Sequence, residues 1–155
     1  MGGFSRSVGA GASIATLLAL LSFLLFSLMG RATMGTLAGT EVFAGGWIVS
    51  FFAAVIWAPL WETLIGQLVP ITILTWFGAR TFIAVLGSAA LFSAGHLVSG
   101  GGIGQGAVTF VGGLLFASLF AANARAGLGR ATLFTATAHA TNNALLIVFS
   151  FGIGL

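Results

Sequence analysis

The sequence contains no cysteine, and charged residues make up only 5% of its 155 positions. Without cysteine the chain cannot form a disulfide, a Cys-ligated metal centre or a thiol nucleophile. It also lacks lysine and aspartate, so arginine and glutamate carry all of its formal charge. The arginines are scattered and form no basic patch, so we predict no nucleic-acid partner. Because an average soluble domain is about a quarter charged, a soluble fold does not explain this composition.

Hydrophobic residues make up 59% of the chain, and the mean hydropathy is +1.17. This composition predicts a multi-pass membrane protein whose fold is an all-α helix bundle, with residues 1–155 forming a single membrane domain. We expect an N-terminal span and loop over residues 1–41 and a core over 42–151. The apolar runs predict five transmembrane helices, at residues 13–29, 42–77, 81–98, 107–123 and 131–151.

The second apolar run, residues 42–77, is longer than one crossing needs, since as a helix it would extend about 54 Å. Pro59 and Pro70 are expected to kink it. We favour one long, bent and tilted helix. The alternative is two segments broken near Pro70, which would add a sixth span and change the topology.

The arginines predict the orientation of the bundle. With five spans, Arg6, Arg80, Arg125 and Arg130 fall on one side and Arg31 on the other. The positive-inside rule then predicts a cell-membrane protein, surrounded by lipid, with a cytoplasmic N-terminus. The chain also has 24 glycines, and such small-residue faces would allow a homo-oligomer. The glycine-rich stretch 99–106 is expected to be a loop that is flexible or closely packed.

Among the ionisable residues, only Glu62, His96 and His139 fall inside the predicted helices. Each such residue costs roughly 2.5–3.5 kcal/mol at membrane depth on insertion scales. Three independent occurrences are less economical than one shared site in the bundle. Two antiparallel helices joined near Ala79 would also bring Glu62 and His96 to similar depth, because each lies about 17 residues from that turn.

Helical spacing adds further side chains to this predicted site. His139 and Asn143 are four residues apart, so they share one face of the last helix. Phe92 and His96 have the same spacing, which lets the phenyl ring pack beside the imidazole. Asn142 points off that face, so we interpret it as structural.

Two chemistries fit such a site. Glu62 and His96 could deprotonate a water, while His139 and Asn143 donate hydrogen bonds to an oxyanion. Alternatively, Glu62, His96 and His139 could ligate zinc and leave a position for water. Both chemistries lead to peptide hydrolysis without a serine or cysteine nucleophile.

Three segments of the chain resemble the motifs of one family of membrane proteases. Residues 58–67 (APLWETLIGQ), 92–96 (FSAGH) and 139–143 (HATNN) are similar, in order and spacing, to Glu-Glu-xxx-Arg, Phe-xxx-His and His-xxx-Asn. These are the motifs of the CPBP (CAAX protease and bacteriocin-processing, or Abi) family of intramembrane endopeptidases. The resemblance covers residues 42–151.

The resemblance implies a CAAX-endopeptidase-like helical core and a peptide or lipidated protein as substrate. It implies that Glu62 is the catalytic glutamate, that His96 holds the water, and that His139 and Asn143 form the oxyanion side. Although the family was long described as metalloproteases, structural work on its CAAX members favours a water activated by glutamate. We therefore expect no cofactor, with zinc as the open alternative.

The sequence departs from the family pattern at two positions. Thr63 replaces the second glutamate, and Gln67 replaces the arginine. Since these two lie four residues apart, a neutral hydrogen bond could replace the family's ion pair. The departure also supports a second hypothesis, a catalytically degenerate member that acts as a membrane scaffold or immunity protein. A proton-coupled carrier with Glu62 as proton site is a third, disfavoured because no inverted repeat is visible.

Overall fold

The computed structural model describes residues 46–152 continuously, and before them residues 13, 16–21, 24 and 28; for residues 149–152 only the backbone is described. The elements in this part of the chain are helices, which confirms the all-α prediction. Residues 16–21 are helical, and four helices follow: α1 Trp47–Trp76, α2 Thr81–Val98, α3 Ile103–Ala124 and α4 Leu128–Gly152.

Three of these helices, α1, α2 and α3, are long and apolar enough to cross a membrane. Large apolar side chains on their outer faces are exposed, among them Ile48 and Ile73 on α1 and Phe82 on α2. A surface of this kind suits contact with lipid. A membrane protein is therefore supported. The crossing by α4 stays a prediction, and eight of the 17 residues of the predicted span 13–29 lie outside the described residues.

Helix α1 is continuous and has no break at Pro70, which agrees with the prediction of one long helix over residues 42–77. Two π-helical turns, Ala53–Trp57 and Leu64–Leu68, each end two residues before a proline. In each, the last N–H bonds five residues back, from Ala58 to Ala53 and from Val69 to Leu64. The wider turns accommodate prolines that lack an N–H and would clash in a regular α-helix.

The glycine-rich stretch 99–106 is not entirely a loop, and this corrects the sequence prediction. Helix α3 begins at Ile103, and Gly104 and Gly106 lie buried within its first turns. A Cβ atom added to Gly106 would lie 2.8 Å from the Leu97 side chain. These glycines therefore allow α3 to approach α2 closely. In the sequence, glycines with this packing role look the same as the glycines of a loop.

Close packing continues along the bundle. Helix α2 packs against α3, α3 against α4, and α1 against both α2 and α4. The Ser88 hydroxyl of α2 donates a hydrogen bond to the Gly66 carbonyl of α1. That carbonyl lies four residues before Pro70, which has no N–H to offer it. A second contact seats Leu18, from the helical stretch 16–21, in a buried cluster with Phe116 and Ala138.

Candidate active site

Three ionisable side chains from three helices meet at one point in the bundle. The Oε2 atom of Glu62 on α1 lies 3.4 Å from Nε2 of His139 on α4 and 3.9 Å from Nε2 of His96 on α2. The prediction that these residues share one location is therefore confirmed. Their chemical role is a separate question.

The three side chains differ in exposure. The side chain of His139 is 5% exposed, whereas those of His96 and Glu62 are 24% and 33% exposed. His139 thus forms the inner wall of the site, and the carboxylate can be reached from outside the bundle. The 3.9 Å separation of Glu62 and His96 exceeds a direct hydrogen bond, and it is a range in which a water molecule can bridge two groups.

The orientation of His96 is fixed by its own helix. Its Nδ1 lies 3.0 Å from the Phe92 carbonyl oxygen. Because a carbonyl only accepts hydrogen bonds, Nδ1 carries the proton, and in the neutral ring Nε2 is then an acceptor facing Glu62. A water between these two acceptors would donate one hydrogen bond to each.

Two phenyl rings hold the imidazoles. Phe92 lies 4.7 Å from the ring of His96, as the helical spacing predicted, and also 5.6 Å from the ring of His139. Phe116 of α3 stacks on His139 at 4.5 Å with an interplanar angle of 24°. Sequence reasoning missed Phe116, because the residue lies on a helix that carries no polar member of the site.

Asn143 lies one turn beyond His139 and bonds to the backbone of α1. Its Nδ2 donates to the Ala54 carbonyl at 2.9 Å. That carbonyl lacks a helical partner for a specific reason: the Ala58 N–H goes to Ala53, and the next residue is Pro59, which has no N–H. The oxyanion role of Asn143 stays a prediction.

The neighbouring Asn142 is buried, and its Nδ2 donates to Oδ1 of Asn143 at 3.2 Å. This contact holds the Asn143 amide in place against α1. The structural interpretation of Asn142 is consistent with that contact.

The hydrogen bond suggested between Thr63 and Gln67 does not form. Both side chains are fully buried, yet the Thr63 hydroxyl and both polar atoms of the Gln67 amide have no hydrogen-bond partner among the described residues. The reason is the π turn Leu64–Leu68, which shifts the backbone from i+4 toward i+5 spacing between these two residues.

More buried polar atoms without a described partner lie on α4, namely Thr135 Oγ1, His139 Nδ1 and Asn142 Oδ1. Since Asn143 contacts Ala54 and His139 contacts Glu62, α4 runs antiparallel to α1. One turn further, Thr135 reaches the level of Thr63 and Gln67. We call these four residues, Thr63, Gln67, Thr135 and Asn142, the polar strip. Sequence reasoning missed Thr135, although its i, i+4 spacing to His139 could have indicated it.

The geometry of the donor atoms bears on the zinc alternative. In the part of the chain that the structure describes, no group of three or more His, Asp or Glu side chains is arranged to hold a metal ion. A tetrahedral zinc ion with ligand atoms at about 2.0–2.2 Å holds those atoms about 3.3–3.6 Å apart. The 3.4 Å separation of Glu62 and His139 fits this spacing, and the 3.9 Å separation of Glu62 and His96 exceeds it slightly, so the zinc alternative stays a prediction.

Comparisons of this chain with protein-family models, with curated proteins and with solved structures give no match.

Proposed function

We propose that this protein is an intramembrane endopeptidase that hydrolyses a peptide bond near the membrane with a water activated by Glu62 and His96. The observation that carries the proposal is the meeting of Glu62, His96 and His139 from three separate helices. An intramembrane ionisable residue is a candidate for function by default, and here three of them share one partly accessible point.

In the proposed reaction, a water lies between Glu62 and His96 and donates hydrogen bonds to both. Glu62 takes one proton as the water oxygen bonds to the peptide carbonyl carbon. His139 Nε2–H, helped by the second Nδ2 hydrogen of Asn143, stabilises the resulting oxyanion. The carbon–nitrogen bond then breaks, and the proton held by Glu62 passes to the departing amine.

The surroundings of the site support this chemistry. Phe92 and Phe116 hold both imidazoles in fixed planes, which preserves their positions between turnovers. Beside Glu62, the exposed Leu60 and Trp61 give the mouth of the site an apolar rim. Such a rim suits a membrane-proximal or lipidated substrate.

The motif resemblance to the CPBP family adds to the proposal, since Glu62, His96, His139 and Asn143 occupy the positions of the family's functional residues. Thr63 and Gln67 remain the departures from that pattern. They are buried behind Glu62 rather than in the accessible mouth. We therefore expect them to influence the rate more than the type of reaction.

The test is cleavage of membrane-proximal peptides by purified protein in detergent or liposomes, with Glu62→Gln as the decisive variant. Glutamine keeps the size of the side chain and removes the base, so cleavage should be lost. Trp76→Phe, an exposed position at the far end of α1 and away from the reacting groups, is the matched control. Activity that disappears on chelation and returns with zinc would replace the proposed water activation with metal catalysis.

A second candidate function is a non-catalytic membrane scaffold or immunity protein. It is favoured by the unpartnered Thr63 and Gln67 and by the engagement of Asn143 with Ala54. Under this account, His96→Ala and His139→Ala would leave the cellular phenotype intact as long as the variants accumulate normally. A phenotype that requires both histidines argues for catalysis.

A further inference from the structure

All the arginines in the described turns lie at one end of the bundle. Arg80 directly precedes α2, Arg125 directly follows α3, and Arg130 lies in the first turn of α4. Because consecutive helices run antiparallel, these three positions share one end, which we call the arginine end. At the opposite end, Gly46 and the turn between α2 and α3 (residues 99–102) carry no charged side chain.

The candidate active site is displaced from the arginine end. His96 lies fifteen residues beyond the start of α2, about 22 Å along the axis, and only about 3 Å before the last residue of α2. His139 lies about 16 Å from the start of α4 by the same rise. In a hydrocarbon layer of about 30 Å, His139 is therefore near the middle and His96 is near the far surface.

The contacts of His96 also point to that surface. The Gly101 N–H, in the turn between α2 and α3, donates to the His96 carbonyl at 2.9 Å. The residues around His96 on α2, Gly95 and Leu97, are exposed. On the arginine side of the site lie Gln67 and Thr135 of the polar strip, and then the apolar cluster of Ile71, Ala84, Val85, Ala117, Phe120 and Ala131. Because this apolar cluster closes the arginine end, we expect water to reach Glu62 from the opposite end.

We infer that the site opens toward the non-cytoplasmic face of the membrane, so that its substrate is a peptide segment at the outer leaflet. Arginine-bearing short turns stay in the cytoplasm under the positive-inside rule, which places the arginine end inside and the His96 end outside. The assignment of a substrate rests on the proposed function, whereas the orientation of the site in the membrane does not.

The absence of cysteine from the sequence makes a direct test possible. Single-cysteine variants Phe77→Cys, at the arginine end, and Ser99→Cys, beside the site, both replace exposed residues in turns. In intact cells, a membrane-impermeant maleimide should label the Ser99 variant, and the Phe77 variant only after lysis. Labelling of the Phe77 variant in intact cells, or no labelling of the Ser99 variant until lysis, would overturn the inference.

A second measurement separates the orientation from the activity. Proteoliposomes of known orientation, determined by the same labels, receive a membrane-anchored peptide on one side only. Cleavage should require the peptide on the Ser99 side, and the Glu62→Gln variant should show no cleavage from either side. Cleavage only from the Phe77 side contradicts the inferred opening and leaves the endopeptidase intact. Cleavage unchanged in Glu62→Gln contradicts the proposed mechanism, whatever the labels show.

Discussion

The two ends of this bundle are built from the same helices but hold opposite kinds of interior. Toward the arginine end, the core is apolar and tight, with Ala84, Ala117, Phe120 and Ala131 showing no exposed surface. Beyond this core, from the middle of the bundle toward the other end, the interior holds the polar strip, Glu62, His96 and His139. Among the described residues, the ionisable side chains inside the bundle thus lie together in one region, and the apolar region holds the helices together.

The comparison indicates how stability and chemistry are divided. Buried polar atoms without partners reduce stability, by about 1–3 kcal/mol each. The apolar end can offset this cost because its side chains interlock and its small residues bring the backbones close. We expect substitutions at the two ends to separate into those that affect stability and those that affect activity.

The largest effect on activity is expected from His96→Ala. The imidazole is partly exposed and holds the proposed water, so its loss should reduce cleavage by about 10²- to 10⁴-fold. Thermal stability should change little, because Phe92 keeps its contacts with Phe116 and His139. Peptide cleavage and thermal unfolding, measured on the same preparation, check both parts. A large fall in melting temperature with normal cleavage per folded molecule would contradict the division.

Phe120→Ala should show the reverse pattern. Phe120 is fully buried in the apolar cluster, and removing a buried phenyl ring costs about 3–5 kcal/mol. Denaturant titration in detergent measures the loss, and the cleavage rate per folded molecule should stay within about twofold. Leu133→Ala is the matched control, since Leu133 lies on the exposed face of α4. Equal losses from the two variants would remove the distinction between core and lipid-facing surface.

Asn143→Ala tests the bond that ties α4 to the π turn of α1. Its removal leaves the Ala54 carbonyl without a partner, which should lower the free energy of unfolding by about 1–3 kcal/mol. Pro59→Ala restores an N–H to α1 at this point, so the effect of Asn143→Ala should be smaller in that background. Asn123→Ala removes a bond within one helix, to Leu119, and is the control. Additive effects of Asn143→Ala and Pro59→Ala would show that the two positions do not share the carbonyl.

The smallest effect is expected from Thr135→Val, in the polar strip. Valine keeps the shape of the side chain and removes a buried hydroxyl that has no described partner. The unfolding free energy should rise by about 1 kcal/mol. Thr137→Val is the control, because the Thr137 hydroxyl donates to the Leu133 carbonyl on the exposed side of α4. A fall in stability specific to Thr135→Val would mean that the hydroxyl binds internal water.

Several parts of this arrangement could be read from the sequence. The bounds of α2 are the predicted 81–98, because apolar runs flanked by Arg80 and a glycine-rich turn mark both ends. The meeting of Glu62, His96 and His139 followed from helix lengths and the cost of buried charge. Helix bounds, helix lengths and the cost of burying a charge depend on local sequence, so composition and residue spacing are enough to predict them.

Other parts depend on contacts between distant residues, which spacing does not determine. The π turns of α1 decide that Thr63 and Gln67 do not bond and that Asn143 caps Ala54. The composition of the 99–106 stretch is typical of a loop, although Gly104 and Gly106 are buried in α3, where they allow close helix packing. The stacking of Phe116 on His139 likewise needs the position of α3, which no polar pattern indicates.

The proposed role of Glu62 is that of the base in a peptide hydrolysis. The decisive measurement is the cleavage rate of a membrane-proximal peptide with purified wild type and with Glu62→Gln, both folded to the same extent in liposomes. We expect cleavage by the wild type and a loss of at least about 10²-fold in the variant. Equal cleavage by the two proteins would contradict it.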